Sequence, residues 1–258
     1  MKIPMNNQDY AIRIRDVKTF LGDNWVHNGV NLDVVRGETM LVIGGSGSGK
    51  SVLFKNIVGL MRPNSGSIEI DGVNICGTKE KAMISVRQKF GVLFQGAALF
   101  DSMSVGENVS FAVRRQTSLT EAEIRDLVDE KLGLVGLHGV EDMMPSELSG
   151  GMRKRVGLAR AIALSPEVIL YDEPTTGLDP ITADVINDLI IQLQEELKVT
   201  SLVVTHDMVS AFKVGDRIAL LNDGKIIALG TTSEMRNSDN PYVRQFITGS
   251  SEGPMSFE

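Results

Sequence analysis

Cysteine is almost missing from this sequence, with Cys76 as the one thiol among 258 residues. A single cysteine cannot form an internal disulfide, which agrees with a reducing cytoplasm, and we expect this side chain to be a small buried hydrophobe. Long apolar runs are missing too: none approaches the roughly 18 to 20 residues that cross a bilayer, and the chain start lacks the apolar stretch of a secretory signal. Any membrane role is therefore expected to depend on a partner protein.

Basic residues are also fewer than acidic ones. Lysine and arginine number 26 against 33 aspartates and glutamates, for a net charge of −7. This balance argues against a broad basic surface for nucleic acid and against long-range attraction to anionic lipid. The hydrophobic fraction of 42% is nonetheless typical of a globular protein with a full core. One α/β domain with an inserted helical lobe fits this length.

The order of apolar segments predicts an α/β fold. Strands are predicted, in chain order, at residues 12–17, 30–35, 40–43, 67–72, 90–95, 168–172 and 201–207. The first three are expected to be antiparallel, and the third to be buried. Because strands separated by helices pair in parallel, the core sheet is expected to be mostly parallel, with residues 217–230 closing it as a hairpin around Asn222-Asp223-Gly224.

Helices are predicted between these strands. Residues 104–165 are mostly helical in pattern, and Thr120 with Glu123 forms a capping box at the start of an amphipathic stretch. A long helix is predicted to begin at Asp179-Pro180, an N-cap followed by proline at the first helical position. The expected buried face of that helix is Ile181, Val185, Ile186, Leu189, Leu193 and Leu197.

A glycine-rich loop, residues 44–51, fits the pattern GxxxxGK[ST] between a predicted strand and a predicted helix at residues 50–60. Leu53, Ile57 and Leu60 are expected to share one face of that helix. Such a loop turns backbone N–H groups toward phosphate oxygens, and Lys50 adds a catalytic positive charge near the β- and γ-phosphates of ATP. Ser51 is the expected Mg²⁺ ligand. The predicted nucleotide-binding residues here are Gly44, Gly45, Ser46, Gly47, Ser48, Gly49, Lys50, Ser51 and Val52.

Two adjacent carboxylates, Asp172 and Glu173, follow the apolar strand at residues 168–171. Alternation along a strand points neighbouring side chains in different directions, so that one carboxylate can hold Mg²⁺ while the other addresses water. We assign Asp172 to the metal and Glu173 to the general base.

The run Leu148-Ser149-Gly150-Gly151-Met152, followed by a helical pattern, resembles the signature of the ABC ATPase family. The resemblance implies an ABC-type nucleotide-binding domain with an N-terminal antiparallel β subdomain, a mostly parallel core sheet and an inserted helical subdomain. It further implies a homodimer in which Ser149, Gly150 and Gly151 of one copy contact the γ-phosphate bound by the loop of the other. The alternative is that Ser149 only caps a helix.

Three more positions match the family in sequence order. The resemblance implies that Gln95 links the magnesium site to the helical lobe as a nucleotide and metal contact, and that Asp179 crosses the dimer interface near the nucleotide. His206 matches the switch histidine, which donates to the γ-phosphate and acts in catalysis. His27 and His138 lack such a context and are expected to be surface or loop residues.

Two features depart from the family pattern. Met152 stands where the family usually has glutamine, which affects only the last side-chain contact of the signature. Where the family often stacks an aromatic ring on adenine, this chain offers Leu21, with Phe20 and Trp25 nearby. The choice between ATP and GTP therefore stays open at this point.

Four stretches also resemble the ATPase subunit of Mla-type phospholipid transporters, at residues 96–109, 144–152, 159–182 and 242–254. The resemblance implies a peripheral subunit at the cytoplasmic face of the inner membrane, moving phospholipid between the inner and outer membranes. Its implied partners are an MlaE-like permease dimer, an MlaB-like STAS protein and an MlaD-like MCE protein. The expected division is an ATPase domain at residues 1–240, with a helical subdomain at about 97–165, and a tail at 241–258.

The tail carries Tyr242, Val243, Phe246 and Phe257 as apolar anchors, and we expect it to dock on the second copy or on the STAS protein; the alternative is a frayed terminus.

Another ABC importer, such as one for polar amino acids, would keep every catalytic residue and change only the permease contact at residues 97–113. A DNA-acting ABC ATPase would need heptad arms or tandem domains that do not fit this length. A regulatory, non-hydrolysing binder would be expected to lack Glu173 or His206.

Overall fold

The computed structural model of the chain describes residues 10–255, apart from the side chain of Glu80. Its strands are β1 Tyr10–Leu21, β2 Asn24–Val35, β3 Thr39–Ile43, β4 Ser65–Ile70, β5 Val73–Asn74, β6 Phe90–Leu93, β7 Val168–Asp172, β8 Thr200–Thr205, β9 Arg217–Asn222 and β10 Lys225–Thr231. They form a four-stranded antiparallel sheet in the order β2-β1-β4-β5 and a six-stranded sheet in the order β10-β9-β3-β8-β7-β6. In the larger sheet only the β9–β10 hairpin is antiparallel, which confirms the predicted core sheet.

The helices are α1 Lys50–Ile57, α2 Glu80–Arg87, α3 Val105–Ser110, α4 Val113–Gln116, α5 Glu121–Leu134, α6 Gly150–Ile162, α7 Pro180–Leu197, α8 Met208–Val214, α9 Thr232–Arg236 and α10 Pro241–Thr248. Helices α3 to α6 all fall between β6 and β7. The Thr120 and Glu123 capping box forms as predicted at the start of α5. Asp179 caps α7, accepting from the backbone N–H groups of Ile181 and Thr182 at 3.0 Å each.

Strand β3 corrects one prediction, because it lies in the six-stranded sheet and not with β1 and β2. All five of its residues are buried, as a central strand covered on both faces requires. Its alternate side chains enter two separate hydrophobic layers. Leu41 and Ile43 pack into the layer that includes the helices between β6 and β7, whereas Met40 and Val42 pack into the layer under the antiparallel sheet and α1.

Two predicted helix faces are partly wrong. Helix α1 ends at Ile57, so that Leu60 lies beyond it and is exposed. On α7, Ile181 and Val185 are exposed although Ile186, Leu189 and Leu193 are buried, because the first turns of this helix extend past the core. Cys76 also differs from the prediction: it is half-buried against the second layer.

The segment at residues 241–255 folds back on the chain itself. Val243 is buried, and the Gln245 side chain makes two hydrogen bonds to the backbone of Met255, donating to its carbonyl at 3.0 Å and accepting from its N–H at 2.7 Å. This part of the tail is therefore packed, while Phe257 lies outside the described residues. Within residues 10–255 no helix has the length and apolar character that a membrane span requires.

Candidate nucleotide site

The glycine-rich loop joins β3 to α1 as the sequence predicts. Gly49 has φ of +99°, a left-handed conformation that side chains rarely adopt. A Cβ atom at Gly44 would lie 2.4 Å from the carbonyl oxygen of Leu221. Both positions therefore require glycine, and the loop backbone curls between the end of a buried strand and the first turn of a helix.

Lys50 is buried within this loop. Its Nζ donates to the carbonyl oxygens of Gly44 at 2.8 Å and Gly45 at 3.0 Å. Burial lowers the pKa of Lys50, and the nearby carboxylates of Glu173 and Asp172 act in the opposite direction. The loop thus holds an ammonium group at its centre, close to both predicted acidic residues.

Glu173 lies just past β7 in a left-handed backbone conformation with φ of +48°. A left-handed conformation costs free energy in a residue other than glycine and persists only where surrounding contacts hold it. Its Oε2 lies 2.9 Å from His206 Nδ1 and accepts from the hydroxyls of Thr205 at 3.2 Å and Thr176 at 3.1 Å. The carboxylate is therefore held in one orientation by residues of two neighbouring segments.

Asp172 differs from its neighbour in its surroundings. Its Oδ1 is buried and has no hydrogen-bond partner among the described residues. Burial, reinforced by the charge of Glu173, raises the pKa of Asp172, while Lys55, Lys154 and Lys50 oppose the shift. A buried carboxylate oxygen without a hydrogen-bond partner is a place where a bound metal ion would supply the missing contact.

A cavity of about 560 Å³ joins these elements. Its lining is Val26, Ser46, Gly47, Gly49, Lys50, Ser51, Val52, Gln95, Glu173 and His206. The structure therefore brings the three predicted catalytic residues, Lys50, Glu173 and His206, to one cavity with Gln95. The predicted site residues that do not line it are Gly44, Gly45, Ser48, Ser149, Gly150, Gly151, Asp172 and Asp179.

The signature residues lie at the start of α6. The Ser149 hydroxyl caps this helix, accepting from the Met152 N–H at 3.2 Å. A Cβ atom at Gly151 would lie 2.5 Å from Cγ2 of Thr182, so that this glycine permits α6 to pack closely on α7. Ser149 and Asp179 are both exposed. Within one chain these positions have helix-capping and packing contacts, and their predicted contact with a second copy stays a prediction.

Val26 and His27 are the site residues that sequence reasoning missed. Val26 lines the cavity. The prediction for His27 is wrong: it is fully buried, and its Nε2 lies 3.0 Å from the Gly49 carbonyl oxygen. That prediction rests on the lack of a motif around His27, which says nothing of burial. In the structure the extra residue at Gly29, opposite the register step between Val17 and Lys18 of β1, forms a bulge that changes which side chains of β2 face inward.

The candidate adenine-stacking residues lie at the tip of the β1–β2 hairpin. Phe20 and Trp25 are exposed and contact each other edge to face, with ring centroids 5.2 Å apart. Leu21 is exposed beside them, and none of the three lines the cavity. His138 is exposed, as predicted.

Residues 27–176, more than half of the chain, match the family described as ABC transporter. The chain therefore belongs to the ABC transporter family and is an ATP-binding and ATP-hydrolysing member of it. The predicted class and the predicted α/β fold are confirmed.

Individual relatives extend the match along the chain. It is 43% identical over 245 residues, 95% of its length and 71% of the relative, to the "Probable ribonucleotide transport ATP-binding protein mkl" of Mycobacterium leprae. It is 42% identical over 247 residues, 96% of its length and 94% of the relative, to the "Intermembrane phospholipid transport system ATP-binding protein MlaF" of Haemophilus influenzae. The resemblance to the Mla-type ATPase is thus confirmed.

Among solved structures, the ATP-binding cassette MJ0796 has the same fold. Its dimeric, post-hydrolysis state bound to ADP and Pi superposes with a TM-score of 0.79 at 31% identity, covering 86% of this chain and 98% of that one.

Proposed function

We propose that this chain is the ATPase subunit of a transporter that moves phospholipid between the inner and outer membranes. The proposed ATP hydrolysis is supported mainly by one observation: Lys50, Glu173 and His206 line the same cavity. The cargo is inferred from MlaF, a relative matched over 94% of its own length, whereas the match to the mycobacterial mkl protein covers 71% of that relative.

The donor set fits Mg²⁺ carried by ATP. The described residues contain no cluster of three or more acidic, histidine or cysteine side chains that could hold a metal ion alone. Mg²⁺ at nucleotide sites needs no such cluster, because phosphate oxygens and waters supply most of its ligands. The orphaned Oδ1 of Asp172 suits it, with Ser51 and Gln95 as the further proposed ligands. Once bound, Mg²⁺ would neutralise charge on the β- and γ-phosphates.

The side chains of the chain itself supply the remaining chemistry. Glu173 accepts a proton from the attacking water through its fixed carboxylate. His206 contacts the same carboxylate at 2.9 Å, and in the proposed role it would donate to the γ-phosphate. Lys50 stabilises the negative charge that develops on the phosphate oxygens, and the backbone N–H groups of residues 44–51 orient the nucleotide.

We propose that two copies enclose two ATP molecules. Ser149, Gly150, Gly151 and Asp179 lie outside the cavity of their own chain, as residues that complete the site of a second copy should. Apolar side chains stand exposed on neighbouring helices: Ile181 on α7 has 79% of its surface accessible and Val209 on α8 has 77%. Burial of these side chains against a second copy would remove apolar surface from water.

The proposed partners follow from the same kinship. An MlaE-like permease dimer would hold the ATPase at the cytoplasmic face of the inner membrane and contact residues 97–113. There Phe100 is exposed and packs on Phe111 with ring centroids 4.6 Å apart. An MlaB-like STAS protein and an MlaD-like MCE protein would complete the assembly. In the proposed division, residues 1–240 form the ATPase domain with the helical subdomain at about 97–165, and the tail at 241–258 reaches a partner beyond its packed segment.

The test is purification of the complex from its native membrane through a tag on this chain, with ATPase assays and mass spectrometry of copurifying proteins and lipids. We expect a permease with bound phospholipid, and loss of activity in Glu173→Gln. Glu167→Gln at the opposite end of β7 is the matched control, because this exposed side chain lies away from the cavity. A nucleotide or amino-acid permease in place of the lipid permease would overturn the cargo and leave the ATPase chemistry standing.

A further inference from the structure

Lys154 is a buried cation that the nucleotide site does not explain. It lies in α6, five residues after Ser149, and only 5% of its surface is accessible. Its Nζ donates to the backbone carbonyl oxygen of Gln95 and, at 3.1 Å, to that of Glu173. One ammonium group therefore ties the helix that begins at the signature to two cavity-lining residues on two other segments.

Burial of the Lys154 ammonium group costs free energy that its hydrogen bonds must offset. Burying an ammonium group lowers the pKa of Lys154, an effect that Asp172 and Glu173 oppose. Carbonyl oxygens compensate a buried charge only when the geometry of their hydrogen bonds is maintained. Lys154 is thus held at a fixed distance from both carbonyls.

Both carbonyl groups lie in or next to backbone with left-handed φ angles. Glu173 has the left-handed φ of +48°, and Ala97 and Ala98, just after Gln95, have φ of +61° and +48°. Helix α6 supports that second segment as well, since Arg160 donates to the carbonyl oxygens of Ala97 at 2.6 Å and Ala98 at 2.7 Å. The helix therefore contacts the backbone of both segments through two cationic side chains.

We propose that Lys154 is a positioning residue that transmits the position of α6 to Gln95 and Glu173. The inference rests on the proposed function, in which Ser149 at the start of α6 contacts ATP bound to the second copy. A shift of α6 on that contact would move two carbonyls of its own site through one side chain. Lys154 does not line the cavity, and its hydrogen bonds reach the site through the backbone of these two residues.

The chain offers a matched control for a test. Lys131 in α5 is also buried, with 7% of its surface accessible, but its Nζ pairs with Glu130 at 2.7 Å and not with the site segments. Lys131→Met and Lys154→Met thus remove the same charge from similarly buried places. Lys154→Gln keeps a hydrogen-bond donor in a shorter side chain and serves as the second variant if Lys154→Met does not fold.

The measurement is steady-state ATP hydrolysis by the membrane-purified complex, with kcat and KM separated, together with the melting temperature and nucleotide binding. We expect Lys154→Met to lower kcat by about 10- to 100-fold, as misplacement of reacting groups does, with ATP affinity changed less than about threefold. Lys154→Gln should fall between this variant and the wild type. Lys131→Met should keep the wild-type kcat.

Wild-type kcat in Lys154→Met, or in Lys154→Gln where the former does not fold, would overturn the inference. A loss of kcat equal to that of Lys131→Met would do the same, because it would reflect stability alone. Glu173→Gln in the same assay separates the two proposals. If that variant stays active, the proposed base is wrong, whereas an inactive Glu173→Gln beside a fully active Lys154→Met contradicts only the role of Lys154.

Discussion

The Nε2 atom of His27 lies 3.0 Å from the carbonyl oxygen of Gly49, the residue immediately before Lys50. The same carbonyl accepts the first hydrogen bond of α1, from the N–H of Leu53 at 2.9 Å. Because a carbonyl only accepts, Nε2 carries the hydrogen. On its other side the ring lies 3.2 Å from Thr19 Oγ1, which donates to Asn56 Oδ1 at 3.0 Å. A strand of the antiparallel sheet is thereby joined to the phosphate loop and to α1.

His27→Phe tests this connection. The side chain stays aromatic but becomes larger, and the donor to Gly49 is lost, so the free energy of unfolding should fall by at least about 0.5–1.5 kcal/mol, as for one buried hydrogen bond. The KM for ATP should rise, because the carbonyl beside Lys50 loses one of its two partners. His27→Gln, whose amide can donate from a similar position, should retain most of both quantities. Equal stability and KM in all three proteins would show that the hydrogen bond has no role.

His27 also predicts a pH dependence of stability. Burial lowers its pKa below the ordinary value of 6.5, although the Gly49 hydrogen bond opposes the shift. As the pH falls below 6.5, the unfolded chain takes up a proton that the folded chain does not, so that stability is lost until the folded pKa is reached. The slope is at most about 1.4 kcal/mol per pH unit. Urea unfolding between pH 8 and 5 should show wild type losing more stability than His27→Gln; parallel curves would contradict the assignment.

Asp172→Asn should separate stability from function. The pKa of Asp172 is raised by burial and by Glu173, so its ionised form costs folding free energy that grows as the pH rises from 3.8 toward the folded pKa. Without nucleotide the neutral variant should therefore melt above the wild type at pH 7. With MgATP the order should reverse, because the proposed Mg²⁺ ligand is gone. A variant that melts lower without nucleotide, or that keeps Mg²⁺-dependent ATP hydrolysis, would contradict the assignment.

Most residues of the site could be predicted from short sequence motifs. Some features depend on only a few neighbouring residues: the phosphate loop, the acidic pair after β7, and the caps at Thr120 and Asp179. Their chemistry can therefore be predicted without knowledge of the fold. The cavity itself needed the sheet order, because β3 and β7 are both adjacent to β8 and thereby bring Lys50 and Glu173 together.

The errors have long-range causes. An apolar run such as residues 40–43 indicates burial but not which sheet the strand joins. The surface prediction for His27 rests on the absence of a motif around it, whereas its burial depends on the bulge at Gly29 and on contacts with Thr19 and Gly49. The role inferred for Lys154 depends on two carbonyls, 59 and 19 residues away in the chain, and no spacing rule connects them.

The exposed apolar side chains of α7 and α8 predict where dimerisation can be broken. Ile181→Glu and Val209→Glu should leave the melting temperature of the single chain nearly unchanged, because both positions are largely exposed. In a Glu173→Gln background, where ATP is bound and not hydrolysed, each should prevent ATP-dependent dimerisation on a sizing column, since a buried unpaired charge is strongly unfavourable. Val73→Glu is the matched control: this side chain is also exposed but belongs to β5, the edge strand of the other sheet. Dimers that persist in both α7 and α8 variants would place the second copy elsewhere, and loss of dimers in Val73→Glu as well would indicate a nonspecific effect of added charge.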